Sequence, residues 1–226
     1  MTITATATEL ARQDTKTPVD RPDGFHAVES EHSLGYNVPQ KVGQRLWLPM
    51  FIVALMGWTV GIVLAIAEAA TARDDLDTLQ TLGQLIPAFM FIGFLGIFSA
   101  ITFAVARILG EFRRGGGEVQ ETAGSTVQTL KMPGTAKAML GFMMMGMMVM
   151  LAGIITNFVG AASFTGAASD VADNAATAVA SAGLRRMGVA LYLTGIAFGL
   201  GTIIEVLRFQ AIRIREVAAA YGHNHS

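Results

Sequence analysis

Four long apolar runs limit what this chain can become more than any other feature: residues 46–71, 86–106, 138–162 and 187–207. Each reaches the roughly 20 residues that a helix needs to cross about 30 Å of hydrocarbon. The second and third hold no Asp, Glu, Lys, Arg or His. Their length, and the lack of period-2 alternation, predict helices and not barrel strands. Charged residues make up 15% of the chain, against about 25% in a typical soluble domain, which fits a surface that faces lipid.

Lys and Arg beside the runs set the expected orientation. Lys41 and Arg45 precede the first run, with Arg12, Lys16 and Arg21 further out. Arg107, Arg113, Arg114, Lys131 and Lys137 follow the second, and Arg208, Arg213 and Arg215 follow the fourth. The first connection offers only Arg73, among Asp74, Asp75 and Asp77; the third offers Arg185 and Arg186, beside Asp170 and Asp173. The expected fold is an all-α integral membrane protein of the cell (inner or plasma) membrane, a four-transmembrane-helix bundle with both termini cytoplasmic. A polar arm (1–45), a transmembrane domain (46–207) and a cytoplasmic helical tail (208–226) divide the chain.

The arm has no apolar stretch of signal-peptide type and is punctuated by Pro18, Pro22, Gly24, Gly35 and Pro39. So little apolar surface predicts disorder, or order gained only along a partner. The second helix is expected to continue to Arg114 and to break at Gly115-Gly116-Gly117. The fourth is expected to project beyond the bilayer, with no breaker before Gly222. The Ala-rich third connection predicts a short, separate helix bounded by Gly166 and Gly183. A weak echo, Met56-Gly57 with Met145-Gly146 and Glu68 with Asn157 at the same offset, is compatible with a duplicated hairpin.

Gly57, Gly61, Leu64 and Glu68 fall on one helical stripe, so the G-x-x-x-G face favours close helix approach and turns Glu68 toward the bundle. An ionisable group there is a functional candidate. Asn157, Tyr192 and Thr194 are expected at a similar depth. Gly195 and Gly199 repeat the small-residue spacing in the fourth run. Glu205 is expected to pair locally with Arg208, three residues on.

The third run carries seven methionines, Met139, Met143, Met144, Met145, Met147, Met148 and Met150. Thioethers suit Cu(I), and Met139, Met143, Met147 and Met150 share a stripe. Methionine on the other faces points instead to flexible packing, so copper is the minor reading. The four histidines, His26, His32, His223 and His225, lie outside the runs, which argues against haem held within the bundle. With Glu29 and Glu31 they reach metal-binding number only if the two termini meet. There is no cysteine, and none of the H-E-x-x-H, G-x-S-x-G, Walker A or G-x-G-x-x-G patterns. A net charge of −1 gives no polybasic surface for nucleic acid.

No cofactor is therefore expected, and the partners are the bilayer and other membrane subunits or copies of this chain. The reading that leaves least unexplained is a non-catalytic membrane subunit, accessory or structural, of a larger complex such as a respiratory or oxidoreductase assembly. The alternatives are a small oligomeric transporter or channel using Glu68, Asn157 and Glu205, an interfacial membrane enzyme, and a copper protein using the methionine-rich run.

Overall fold

The computed structural model describes residues 17–30, 34–163 and 168–223. Its elements are β1 (Thr17–Val19), β2 (Ala27–Ser30), α1 (Val38–Ala70), α2 (Leu76–Thr122), β3 (Val127–Leu130), α3 (Gly134–Ser163) and α4 (Ala168–His223). All four helices are long and apolar enough to cross a membrane.

α1 begins well before its apolar run. Asn37 precedes it, its backbone N–H donating to the Gln40 side chain at 2.9 Å, and Pro39 occupies the first turn, where a missing N–H costs little. α2 is capped at its start by the Asp75 carboxylate, which accepts from the Thr78 N–H at 3.2 Å. It does not break at the three glycines but runs on to Thr122. Gly116 lies against Gln210 and Arg213 of α4, where a Cβ would stand 2.6 Å from Arg213 Nη1. Close packing there outweighs poor helix propensity. The true stop is Gly124, at φ 66°. Its N–H donates to the Glu121 carbonyl at 3.0 Å and that of Ser125 to the Gln120 carbonyl at 2.9 Å, which closes a Schellman motif.

To the four long helices the chain adds a small sheet that the all-α expectation did not include. β1, β2 and β3 form an antiparallel sheet in that order, with Ala27 opposite Leu130 and Ser30 opposite Val127. Val127 and Thr129 turn inward on alternate positions. Two strands of the sheet come from the polar arm, which is thus held by this chain itself along residues 17–30. Arg21 fastens it to α4: the guanidinium lies over the Phe209 ring at 5.3 Å and donates to Glu216 at 2.5 Å. Arg21 also bonds Asp23, holding that carboxyl below the usual carboxylate range.

α1 packs along α2 and has no comparable contact with α3 or α4. The closed four-helix bundle is therefore better described as α2, α3 and α4 packed together, with α1 flanking α2. The α1–α2 seam is glycine on glycine. A Cβ at Gly57 would stand 2.6 Å from the Gly93 nitrogen, and one at Gly61 2.8 Å from Met90 Sδ. Around Met143, Met150, Ile154 and Tyr192 the three inner helices bury their side chains.

The third connection also departs from expectation. Gly166 falls outside the described residues, but α4 runs without interruption from Ala168 through Gly183. No separate short helix lies there; alanine favours helix even where hydropathy is low.

Candidate functional site

The α3–α4 seam is a series of large side chains lodged against glycines. A Cβ at Gly199 would meet Met139 Sδ at 2.9 Å, one at Gly195 the Met143 side chain at 3.1 Å, and one at Gly188 Met150 Cβ at 3.0 Å. One step further, Arg185 Cγ stands 2.9 Å from where a Cβ would be on Gly153. This register sets Arg185 beside the third apolar run and not beyond the fourth. Its guanidinium lies over the Phe91 ring at 4.9 Å. Phe91 is two residues from Gly93, which touches Gly57, near the middle of the first run. An arginine thus sits alongside the apolar runs of α2 and α3, not beyond them.

Arg185 is 7% exposed. Its Nη1 donates to Ser181 Oγ at 3.3 Å, while its Nε has no partner. Toward the far end, away from the sheet, Asn157 is 1% exposed with neither amide atom bonded. Gln84 Nε2 reaches the Asn174 carbonyl at 3.4 Å, leaving Gln84 Oε1 and Asn174 Nδ2 unpartnered. Three helices thereby contribute Gln84, Asn157, Asn174, Ser181 and Arg185 to a buried polar centre strung out along α4: Gln84 and Asn174 lie beside Gly160, Arg185 beside Gly153, and Asn157 between those glycines on α3. Among the described residues no group of three or more His, Cys, Asp or Glu could hold a metal. What the centre offers is a cation and amide groups, which suit an anionic or carbonyl-bearing partner.

The residues expected from sequence are spread more widely. Tyr192 is buried, its hydroxyl 3.5 Å from that of Ser99. Thr194 faces outward and donates to the Ala190 carbonyl in its own helix. Glu68 is half-buried in the last turn of α1, on a helix without substantial contact to the α3 that carries Asn157. Glu205 accepts from Thr135 Oγ1 at 3.0 Å, not from Arg208. Met139, Met143 and Met150 are buried and Met147 half-buried, with Met143 Sδ accepting from Thr102 Oγ1 at 3.1 Å. Met144, Met145 and Met148 are exposed. Of the histidines, His32 and His225 lie outside the described residues.

Sequence reasoning missed Gln84, Asn174, Ser181 and Arg185. A signal existed: positions 174, 181 and 185 recur at steps of seven and four, one helical stripe. Their low-hydropathy, Ala-rich surroundings hid it. Replacing Asn157 by leucine, which keeps the branching of the side chain, is expected to leave stability in detergent unchanged or raise it by about 1 kcal/mol, since no protein bond is lost. Thermal unfolding checks this; a loss of that size would show that the amide is engaged.

Comparison of the chain with protein-family models, with curated proteins and with solved structures finds no match.

Proposed function

We propose that this chain is a non-catalytic subunit of a larger membrane complex, its four helices spanning the cell membrane and both termini on the cytoplasmic side. One observation carries the reading. Arg186, adjacent to Arg185 and therefore level with the apolar runs of α2 and α3, is exposed on the outside of α4. An arginine facing hydrocarbon at that depth is costly, and such residues pair with a partner or a watery cavity. On the same exposed surface lie Ala176, Ala180 and Gly183, small residues that admit another helix closely. α1 adds to this, since it meets one neighbour and leaves most of its circumference open.

A conduction path has less support. Polar groups occur at Asn157, at Tyr192 with Ser99, and at Thr135 with Glu205, but buried Met150, Met143 and Met139 lie between them. Gentle detergent extraction of the native membrane, a native gel and mass spectrometry of the band test the proposal. Co-migration with a defined set of other subunits is the expected result. A band holding this chain alone, as monomer or homo-oligomer, would overturn it and bring transport forward.

A further inference from the structure

Between the sheet and the nearby ends of all four helices lies a cavity of about 410 Å³. Its deep wall is apolar, built by Leu109, Met139, Leu140 and Val206, and its other lining residues include Arg113, Arg213 and Lys131. No Asp or Glu lines it. The two arginines are only partly satisfied. Arg213, 2% exposed, bonds the side chains of Gln120 and Gln210 and lies over the Phe209 ring at 5.5 Å, yet its Nε has no partner. Arg113 leaves both Nε and Nη1 buried and unbonded. The carboxylates in reach are otherwise engaged, Glu216 with Arg21 and Glu205 with Thr135.

We propose that this cavity binds an anionic phospholipid, its phosphate on Arg113 and Arg213 and the start of an acyl chain along the apolar wall. Guanidinium is a charge that protein surroundings do not remove, and phosphate oxygens are its natural bidentate acceptors. Three unbonded guanidinium nitrogens, in a cavity that no carboxylate lines, call for an anion. The geometry distinguishes a lipid from a small anion. The cavity reaches from these arginines, beyond the apolar runs, to Met139 and Leu140 at the start of the third run. It therefore joins a polar level to an apolar one, as a phospholipid does where headgroup meets chain. The inference rests on the proposed membrane insertion of the four helices and not on the subunit role, so the native gel and the test below fail independently.

The full chain, purified in a neutral detergent, is titrated with dioctanoyl phosphatidylglycerol, dioctanoyl phosphatidylcholine or inorganic phosphate while thermal unfolding is followed. Phosphatidylglycerol is expected to raise Tm by about 5 °C, with the other two having little effect at equal concentration. Arg113→Gln, which removes no protein hydrogen bond, is expected to weaken the phosphatidylglycerol effect about tenfold. An equal rise with phosphatidylcholine, an equal rise with phosphate, or an unchanged response in Arg113→Gln would each overturn the proposal. Should that variant not fold, native mass spectrometry of the wild-type chain decides. Anionic lipid retained above its share of the source membrane supports the site, and no enrichment rejects it.

Discussion

Replacing Gly57 with leucine is expected to part α1 from α2 and to cost the fold about 3 kcal/mol or more. Inserted methylenes in a tight interior usually cost about 1–3 kcal/mol, because neighbouring side chains can shift. Here they cannot. The nearest atoms to a Cβ are backbone: the Gly93 nitrogen at 2.6 Å, and Gly93 Cα and the Phe89 carbonyl oxygen at 3.0 Å. Only a displacement of one whole helix relieves the clash, and among the described residues α1 has no comparable contact with another helix to hold it. Cysteine pairs placed across the α1–α2 seam should cross-link in the wild-type background and not with Gly57→Leu. Undiminished cross-linking would mean that the two helices are not in glycine contact.

Arg185→Met should stabilise the isolated chain and spare its assembly. A buried arginine with one hydrogen bond and no carboxylate among the described residues bears most of its desolvation cost uncompensated. Methionine of similar reach is expected to stabilise the isolated chain, by about 1–4 kcal/mol if it repacks against Phe91 and Gly153. In the native membrane the same change is expected to leave assembly intact, because Arg185 is buried within this chain and the exposed arginine offered to the proposed partner is Arg186. Arg185→Lys keeps the charge and loses the flat stack on Phe91, so it separates charge from shape. A destabilised Arg185→Met chain would show that the guanidinium is satisfied where it lies, and lost assembly would show that a partner reaches it.

The helices themselves were legible in the residues because hydrocarbon tolerates no interruption, and the apolar runs within α1, α2 and α3 carry that demand in composition alone. Their ends were not. Gly115, Gly116 and Gly117 look like a break when helix propensity is the only term, yet α4 lies against Gly116 and α2 continues to Thr122. The N-terminal half of α4 was misplaced for the opposite reason. Its alanines form helix readily but register weakly as apolar, so Arg185 and Arg186 read as charges beyond a span. Depth along α4 is set by which α3 residue each glycine or arginine touches, and that register is a tertiary property. Glu68 illustrates the limit of a stripe: Gly57 and Gly61 face α2, but shared periodicity did not bring Glu68 to Asn157.

The sheet was invisible because its strands are three or four residues long and its last pairing is far away in sequence. That distance has a consequence for biosynthesis. Roughly 100 residues separate Ser30 from Val127, its partner across the sheet. At about 5–20 residues per second, β2 waits roughly 5–20 s for β3 to be made. Through that interval α1 and α2 leave the ribosome while the β1–β2 hairpin, if formed, exposes an unpaired edge on β2. Pro18, in the outer strand β1, removes one N–H from the other edge. The arm that is synthesised first is thus completed only after half the chain, and its closing over the ends of the helices reports that the first two have already taken their places.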